Sequence, residues 1–338
     1  MSLIPTPRRV LTLVSVFLTA AALAACGTAG DGVAGGNEPQ TSSTAAEVMG
    51  ADANAQQCGK KTRTIKHDLG TTTITGTPSR VAVLEFSFID AVVNLGIKPV
   101  GIADDDDPDR IIPALRKKVG DYTPLGLRAS PNLQVITSLK PDLIVADSSE
   151  NSGIYAQLSK IAPTIAIASD VAGYEETINS EKVVAQAIGK CDEMKDVLAK
   201  HEKVMQGLRN RVPKGENRKV LFAITTETGV SGYTTRGFTP GVLASLGLDT
   251  PMPNSKDQYV GLSLETLVSM KPDVIFLAPH PGKELIDQWA ATSLWGTIPA
   301  VAHDKVFKMN QNLWSRARGL VAAEQIARQA VDKLYGTP

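Results

Sequence analysis

Short apolar runs alternate with longer amphipathic stretches along most of the chain. The runs predict strands, because strands buried inside a parallel sheet are short and continuously apolar. The predicted strands are 80–84, 99–102, 143–146, 164–167, 220–225, 274–278 and 306–309. The helical stretches are 181–189, 192–211 and 321–334. This alternation predicts an α/β fold with mostly parallel sheets.

A ten-residue pattern occurs twice in the sequence. Residues 137–146 and 268–277 share Ser, Lys, Pro, Asp and Ile at matching positions. In each copy we expect a helix to end at Lys, because Pro cannot continue it, and Asp to lead into a buried strand. The repetition predicts two related lobes, 61–190 and 214–338, joined by a helix at 191–213. A ligand is expected in the cleft between the lobes, beyond the carboxyl ends of the strands.

The first sixty residues have no pattern of a folded domain. Residues 1–25 combine two arginines with an apolar run, which predicts an export signal. Leu-Ala-Ala-Cys at 23–26 resembles a bacterial lipobox, which implies cleavage before Cys26 and lipid attachment to its sulfur. An ordinary secretory cleavage site is the alternative. Residues 26–60 are rich in small and polar residues and predict a flexible tether, so the mature protein is expected outside the cytoplasm, anchored to the membrane.

Charge and composition exclude several classes of protein. The chain carries 35 basic and 35 acidic residues, which leaves no positive surplus for binding nucleic acid. Loss of residues 1–25 removes Arg8 and Arg9 and no acid, giving a formal charge of −2. Cys58 and Cys191 remain beside the lipidated cysteine, and an oxidising compartment favours a disulfide between them, with two free thiols as the alternative. We expect a monomer.

Few catalytic or metal-binding patterns are present. No nucleophile elbow, phosphate loop or dinucleotide fingerprint occurs. The histidines, at 67, 201, 280 and 303, are scattered, which favours hydrogen-bonded side chains over a zinc or manganese site. The run Asp104–Asp107 lacks the alternating spacing of a calcium loop, and Asp107 before Pro108 is typical of a helix cap.

Arginines in loops after predicted strands are more informative. They are Arg128, Arg236, Arg316 and Arg318. A guanidinium group binds a carboxylate through two parallel hydrogen bonds, which lysine cannot do. Taken singly, each arginine is more often a surface or ion-paired residue. Together they favour an anionic, carboxylate-rich ligand.

Three short segments identify a family. They are Ile102-Ala-Asp-Asp105, Ala146-Asp-Ser-Ser149 and Trp314-Ser-Arg-Ala-Arg-Gly319. With 83–90, 161–163 and 242–248, they closely resemble the ferric dicitrate-binding proteins of bacterial iron citrate ABC importers, within the siderophore-type superfamily of periplasmic binding proteins. The resemblance covers about residues 62–335. It implies a bilobal fold of two Rossmann-like lobes joined by a long helix, no enzymatic activity and no cofactor, and ferric citrate as the ligand. It also implies delivery to an ABC permease and its ATPase.

The resemblance implies roles for individual residues. The expected ligand-binding residues are Glu85, Ser87, Arg128, Ser148, Ser149, Tyr233, Arg236, Trp314, Arg316 and Arg318. Arginines at 128, 236 and 316 would bind citrate carboxylates, the two serines at 148 and 149 with Tyr233 would orient them, and Trp314 would form a wall. Iron is a hard cation that citrate oxygens satisfy, so no metal ligand is expected from the protein. Asp104 and Asp105 would position arginines or cap a helix.

In this superfamily an acidic side chain on each lobe docks onto the permease. Glu265 stands at the matching position in the second lobe, whereas Gln134 replaces the usual glutamate in the first. Docking by the first lobe then depends on a nearby acid such as Glu150 or on a changed permease. Three alternatives remain open: a receptor for a hydroxamate or catecholate siderophore, a secreted metal-dependent enzyme, and an interaction lipoprotein that has lost transport.

Overall fold

The computed structural model describes residues 57–225, 229–279 and 285–337. The predicted signal peptide, Cys26, His280 and most of the predicted tether lie outside the described residues. Within those ranges, no helix is both long and apolar enough to cross a membrane.

The strands, in chain order, are β1 (Thr62–His67), β2 (Gly70–Thr75), β3 (Val81–Val83), β4 (Gly101–Ile102), β5 (Thr123–Pro124), β6 (Gly126–Leu127), β7 (Ser130–Pro131), β8 (Leu143–Asp147), β9 (Thr164–Ile167), β10 (Val220–Thr225), β11 (Val230–Tyr233), β12 (Tyr259–Leu262), β13 (Val274–Ala278) and β14 (Val306–Lys308). The α-helices are Phe86–Asn94, Pro113–Val119, Leu133–Leu139, Tyr155–Ile161, Tyr174–Ile188, Cys191–Arg209, Phe238–Ser245, Leu264–Met270, Leu285–Ala290, Pro299–Ala302 and Leu320–Tyr335. Short 3₁₀ turns occur at Pro108–Arg110, Ser152–Ile154 and Trp295–Thr297, and a π-helical segment spans Asn312–Arg316.

Two sheets form the centres of two lobes. The first sheet is entirely parallel, in the order β5-β4-β3-β8-β9. The second has the order β12-β11-β10-β13-β14, in which β10, β13 and β14 pair in parallel and β11 pairs antiparallel with both β10 and β12. Strands β3, β8 and β13 are buried at every residue, which agrees with their continuous apolar runs. The predicted α/β bilobal fold is confirmed.

The repeated sequence pattern forms the same structure in both lobes. Lys140 and Lys271 each end a helix in the left-handed conformation, both with φ of 48°. The aspartate two residues later then fastens the start of the lobe's first parallel strand. Asp142 accepts the backbone N–H of Arg80 at 2.8 Å, and Asp273 accepts that of Lys219 at 2.8 Å. The repeat therefore fixes the register between helix and strand in each lobe.

The long helix Cys191–Arg209 lies between the two sheets in sequence. Its first residue is joined to Cys58 by a disulfide whose Cα atoms are 6.2 Å apart. His201, in the middle of this helix, is buried, with an exposure of 3%. Tyr174 Oη lies 2.6 Å from His201 Nε2, and Glu324 Oε1 lies 2.9 Å from its Nδ1. The imidazole therefore bridges the long helix to two packed neighbours.

The last helix of the second lobe begins against the first lobe. Val321 donates its backbone N–H to Asp90 Oδ2 at 2.8 Å, and Leu320 donates to Glu181 Oε1 at 3.1 Å. Gly319 precedes them with φ of 108°, and both carboxylate side chains are buried. We call Asp90, Glu181 and the chain at 319–321 the helix joint. Carboxylates from one lobe thus cap a helix of the other.

Candidate functional site

Four charged side chains meet at the carboxyl edge of the first sheet. We call Glu85, Asp105, Arg110 and Arg128 the cleft cluster. Arg128, in the turn between β6 and β7, donates from Nη1 to both carboxylate oxygens of Glu85 at 2.8 and 2.7 Å. Its Nε donates to Asp105 Oδ2 at 2.9 Å, and its guanidinium lies 4.5 Å from the centre of the Phe86 ring. Two acids and an aromatic ring therefore hold this arginine in one position.

Asp105 connects the two arginines of the cluster. Besides its bond from Arg128 Nε, its side chain accepts the backbone N–H of Arg128 at 2.9 Å and Nη1 of Arg110 at 2.6 Å. Burial alone would raise the pKa of Asp105, but the hydrogen bonds and charge of Arg128, with the hydrogen bond from Arg110, lower it below the usual value. The expectation that Asp105 positions arginines is confirmed.

The neighbouring aspartates have structural partners. Asp107 accepts the N–H of Asp109 at 3.1 Å and caps the turn Pro108–Arg110, as the sequence predicted. Asp104 accepts the hydroxyl of Tyr122 at 2.7 Å and is buried. Across the described ranges, no group of three or more His, Cys, Asp or Glu side chains is placed to hold a metal ion.

Glu85 is the most deeply buried member of the cleft cluster. Its carboxylate accepts the N–H of Phe86 at 2.7 Å and so caps the helix Phe86–Asn94. Desolvation raises the pKa of Glu85, and the positive charges of Arg128 and Arg318 oppose that rise. Burial alone would lower the pKa of Arg128, but Glu85 and Asp105 raise it above its usual value. The pair is therefore a fixed part of the site's framework.

A cavity of about 450 Å³ opens between the lobes beside the cleft cluster. It is lined by Asp107 and Arg110 from the first lobe and by Pro279, Met309, Asn310, Gln311, Asn312 and Arg316 from the second. Arg316 is half-buried and donates from Nη1 to Asn312 Oδ1 at 2.7 Å. Burial lowers its pKa, the positive charges of Arg110 and Arg128 lower it further, and the negative charges of Asp105 and Asp107 oppose this lowering. The structure therefore places these three arginines in one electrostatic environment.

Arg316 differs from its neighbours in having no acidic partner. Arg110 and Arg128 are both ion-paired with Asp105. Among the ion pairs of the described residues, none includes Arg316. A half-buried guanidinium that makes no ion pair, although Asp107 lines the same cavity, is suited to receive an anion.

Arg318 is buried and links the two lobes. Its Nη2 donates to the backbone carbonyl of Asp170 at 2.7 Å, and its Nη1 donates to the carbonyl of Arg316 at 3.3 Å. Its Nε is buried and lacks a hydrogen-bond partner in the part of the chain that the structure describes. This arginine therefore holds the backbone of Arg316 in place through a hydrogen bond.

Arg236 does not converge with the other arginines. It is exposed, and its Nη2 lies 3.6 Å from Glu176 Oε1. It lines a different cavity, of about 600 Å³, together with Asp170, Val171 and residues 256–259. Its loop follows the antiparallel strand β11, whereas the loop of Arg316 follows the edge strand β14, which β10 and β13 separate from β11 in the same sheet. Strand order, which the sequence did not reveal, separates the two arginines.

Several predicted ligand residues use their polar atoms within the protein. Ser87 is buried with its Oγ 2.6 Å from Ser169 Oγ. Ser149 Oγ donates to Asp147 Oδ1 at 2.6 Å, and Tyr233 Oη lies 3.1 Å from Ser315 Oγ. Ser148, which is half-buried, donates its backbone N–H to Ile167 at 3.0 Å. None of these four residues is among the described residues that line the cavity of Arg110 and Arg316.

Trp314 does not form a wall of the cavity. Its exposure is 1%, and its indole N–H donates to Gln329 Oε1 at 2.8 Å. Its ring lies between those of Phe276 and Phe222, with centroids 4.8 and 5.7 Å away. Burial in an aromatic core stabilises so large a side chain more than a position at the cavity would. Within the π-helical segment, Trp314 therefore points into the core of the second lobe while Arg316 reaches the cavity.

Gln134 and Glu265 occupy equivalent positions in the two lobes. Each is exposed and is the second residue of its helix, after a cap by Asn132 or Ser263. The lobes thus present a neutral amide and a carboxylate at matching places. Glu150, the possible substitute in the first lobe, is also exposed.

Sequence reasoning missed Arg110 and Asn312 as parts of the site. The cap at Asp107 predicted the turn that carries Arg110, and that was the available signal. Asn312 donates from Nδ2 to the carbonyl of Asp109 at 3.0 Å, which joins the two lobes next to the cavity. No local pattern identifies such a contact, because its partners are distant in sequence.

The sequences of two known proteins align with most of this chain. It is 42% identical over 279 residues to the Fe(3+)-citrate-binding protein YfmC of Bacillus subtilis (strain 168), covering 82% of this chain and 87% of that protein. It is 35% identical over 275 residues to the Fe(3+) dicitrate-binding periplasmic protein FecB of Escherichia coli (strain K12), covering 81% and 91%.

A solved structure agrees with these relatives. Staphylococcus aureus SirA complexed with staphyloferrin B superposes with a TM-score of 0.71 at 27% identity, covering 80% of this chain and 98% of that one. The sequence profile of the family described as "Periplasmic binding protein" matches residues 81–313. The chain therefore belongs to the periplasmic binding protein family.

Proposed function

We propose that this protein captures a ferric citrate complex outside the cytoplasmic membrane and delivers it to an ATP-driven importer. Two relatives that align with more than four-fifths of this chain are named for binding Fe(3+)-citrate or Fe(3+) dicitrate. The observation that carries the proposal is Arg316, a half-buried guanidinium without an acidic partner in the described chain, at a cavity that it shares with Arg110.

The binding mechanism follows from the charges at this cavity. Citrate supplies carboxylate and hydroxyl oxygens to the iron, which is a hard cation. The protein then recognises the anionic outer oxygens of the complex. Arg316 would donate two parallel hydrogen bonds to one carboxylate, and Arg110 would donate from the opposite lobe. Arg128, held by Glu85 and Asp105, would contribute its positive charge from the edge of the cavity.

Anchoring and docking complete the proposed role. Lipid attached to Cys26 would keep the protein at the membrane, and residues 27–60 would form a flexible tether between the lipid and the folded lobes. Glu265 would meet the permease through the second lobe, with the ATPase of the importer on the far side. Relatives named as lipoproteins support the anchor. In the first lobe, Gln134 offers only a neutral contact, so docking there would depend on Glu150 or on the permease itself.

The test is a calorimetric titration of the purified protein with ferric citrate, metal-free citrate, a hydroxamate siderophore and a catecholate siderophore. We expect ferric citrate to bind. Arg316→Ala should weaken that binding by about tenfold to a hundredfold, since it removes hydrogen bonds to a charged group. Arg80→Ala is the matched control, because Arg80 is exposed and precedes β3. It therefore lies at the amino ends of the strands of the first sheet, away from the cleft cluster at their carboxyl ends. Binding of only the hydroxamate or the catecholate would overturn the assignment.

A further inference from the structure

The segment that carries Arg316 continues directly into the helix joint. Three residues after Arg316, Gly319 packs so closely against Asp90 that a Cβ at position 319 would lie 2.5 Å from the Cβ of Asp90. The next two residues donate their backbone N–H groups to Glu181 and Asp90, which belong to two different helices of the first lobe. The joint therefore ties the end of this segment to the first lobe.

Two further contacts hold the same segment against the first lobe. Asn312 donates to the backbone carbonyl of Asp109 at 3.0 Å, and Arg318 donates to that of Asp170 at 2.7 Å. Both acceptors are backbone carbonyls, which do not titrate. The joint differs from these contacts because its acceptors are carboxyl groups, so only the joint can change its charge with pH.

The joint contains two acids and no cation. Asp90 is 0% exposed and Glu181 is 1% exposed, and neither takes part in an ion pair among the described residues. Glu181 Oε2 is buried and has no hydrogen-bond partner in that part of the chain. The two acids accept neighbouring N–H groups of one helix, so they lie side by side. Two negative charges there would repel each other without water to screen them.

The nearest charged groups do not neutralise the pair. Lys118 donates to Asn94, which in turn donates to Asp90, so the ammonium group is one side chain removed. Glu324, from the helix that the joint caps, brings a further negative charge. Desolvation raises the pKa of Asp90 to about 7, against the opposing charge of Lys118, and raises that of Glu181 well above its usual value. The packing therefore favours a proton on the pair.

His201 and Tyr174 complete the surroundings of the pair. His201 Nδ1 lies 2.9 Å from Glu324 Oε1, and its Nε2 lies 2.6 Å from Tyr174 Oη. These hydrogen bonds run to Glu324 and not to the joint acids, so His201 would influence the pair only through the charge of Glu324. An experiment on the joint must therefore separate the titration of His201 from that of the pair.

We propose that the helix joint is a proton-dependent latch between the lobes, which holds residues 312–321 against the first lobe while the carboxyl pair of Asp90 and Glu181 keeps a proton and releases them when both groups are ionised. Full ionisation is relieved by admitting water, which separates the start of the helix from the first lobe. Arg316 moves with the released segment, so the latch also controls one side of the cavity. The latch is a property of the ligand-free protein and does not depend on the proposed function.

The direction of the pH effect follows from proton linkage. When the joint opens, water reaches both acids and their usual pKa values return, so opening releases a proton at any pH between the usual and the raised values. The fraction of open molecules should therefore rise by up to about tenfold for each pH unit towards about pH 7, for each proton released. The latch is closed in mildly acidic solution and loosens as the pH rises.

Amide hydrogen exchange of the ligand-free protein measures this opening, followed by NMR from about pH 5.5 to about pH 7.5. Leu320 and Val321 report on the joint, and Ala317, whose N–H donates to the carbonyl of Asn312 at 2.8 Å, reports on the segment. Ala330, buried in the same helix as Leu320, reports on global unfolding. Each rate is divided by the rate of an unstructured chain, so that the pH dependence of the exchange chemistry cancels.

The latch predicts a pH-dependent loss of protection at these reporters. Protection at positions 317, 320 and 321 should fall by up to about tenfold for each pH unit and stay below that of Ala330. Glu181→Gln keeps an oxygen that can accept the N–H at 320 and removes one acid of the pair, so its profile should be clearly flatter, with higher protection at pH 7. Glu175→Gln, at an exposed position of the same helix, is the matched control and should behave like the unchanged protein.

The profile of the unchanged protein tests the latch even if a variant does not fold. Protection at Leu320 and Val321 that does not vary with pH would overturn the latch, and so would a variation that does not extend to Ala317. Protection equal to that of Ala330 at every pH would mean that the joint opens only by global unfolding, which also overturns it.

The variants identify the group that titrates. A pH dependence that persists in Glu181→Gln overturns the latch, and its loss in His201→Gln would assign the titration to His201 instead. None of these measurements involves a ligand. A failed latch therefore leaves the proposed function as it stands, and a failure of ferric citrate to bind leaves the latch as it stands.

Discussion

The cleft cluster and the helix joint both contain buried carboxylates, and arginines accompany those carboxylates only in the cleft cluster. In the cleft cluster, the pKa of Asp105 is lowered by Arg128 and Arg110 even though burial alone would raise it. In the helix joint, Asp90 and Glu181 form no ion pair with any described residue. Desolvation raises the pKa of Asp90 to about 7 and that of Glu181 well above its usual value. Asp105, which two arginines contact, therefore favours its charged form, whereas burial favours the protonated forms of Asp90 and Glu181.

The difference lies in what each set of acids holds. The cleft acids hold guanidinium groups, which need a charged partner to stay in place. The joint acids accept hydrogen bonds from backbone N–H groups. A protonated carboxyl group can still accept such a bond through the oxygen that carries no proton. Lys118 reaches the joint only through Asn94, whose side chain donates to Asp90. On the other side, Glu324 adds negative charge and is itself bonded to His201. Asp105 is held in its ionised form by its arginines, whereas Asp90 and Glu181 favour a proton.

The largest effect is expected from breaking the helix joint at Gly319. A Cβ there would lie 2.5 Å from Asp90 Cβ, and φ of 108° with ψ of 177° is a conformation that is essentially limited to glycine. Gly319→Ala should lower the free energy of unfolding by about 4 kcal/mol, measured by denaturant titration.

Gly336→Ala is the control for backbone strain. Gly336 follows the other end of the same helix, has φ of 83° and ψ of 164°, and a Cβ there would meet nothing within 4 Å. Gly336→Ala should therefore lower the free energy of unfolding clearly less than Gly319→Ala does. Equal losses in the two variants would show that the joint is not tightly packed.

A smaller loss is expected when the cleft cluster loses a charge. Asp105→Asn keeps the backbone, since asparagine tolerates the φ of 58° at this position. It removes the charge that Arg110 and Arg128 share, so the free energy of unfolding at pH 7 should fall by about 2 kcal/mol. Asp121→Asn, at an exposed position, should change it little. An unchanged denaturation midpoint for Asp105→Asn would contradict the role given to the cluster.

The same chemical change in the helix joint should have the smallest effect at neutral pH. Glu181→Gln keeps the oxygen that accepts from Leu320 and replaces Oε2, which has no hydrogen-bond partner in the described structure, with an amide nitrogen. It should change the free energy of unfolding by less than about 1 kcal/mol, or increase it, because it removes one of two adjacent buried acids. A loss as large as that of Asp105→Asn would mean that the two regions do not differ in charge.

The pH dependence of stability sharpens this contrast. The folded state binds protons at Asp90 and Glu181 more tightly than the unfolded state does. Stability should therefore fall as pH rises from 3.8 towards about 7, by up to about 1.4 kcal/mol per pH unit for one proton. Asp105 acts in the opposite direction, because its pKa is lowered in the folded state. It stabilises the protein at pH values above the usual pKa of an aspartate, and this stability is lost as the pH falls below that pKa. Denaturant titrations from pH 4.5 to 7.5 should show a flatter slope for Glu181→Gln, with Glu193→Gln as the exposed control.

Much of the fold could be read from local patterns. Val220–Thr225 and Val274–Ala278 were predicted as strands with the bounds that the structure gives them, because continuous apolar runs and flanking breakers are local properties. The Lys-Pro-Asp repeat predicted the start of β8 and β13 for the same reason. The two-residue strands β6 and β7 escaped prediction because a pair of residues carries no periodicity.

The candidate site was predictable only in part. Arg128 and Arg316 follow strands in loops, which drew attention to them, and the Asp104–Asp107 run placed acids nearby. Arg236 fits the same pattern, yet strand order puts it at another cavity. Trp314 and Arg316 are two residues apart, and only the backbone of the π-helical segment decides which of them is buried. Such outcomes depend on contacts between distant parts of the chain.

The sequence by itself determined the α/β class, the repeated lobes, the lack of a net positive charge and a set of arginines suited to an anion. These properties follow from composition and from patterns within about ten residues. The tertiary structure decided which arginine keeps an acid and which does not, and which buried acids keep a proton. Charge state depends on the distance to a partner and on the loss of water, and both are set only when separate segments pack together.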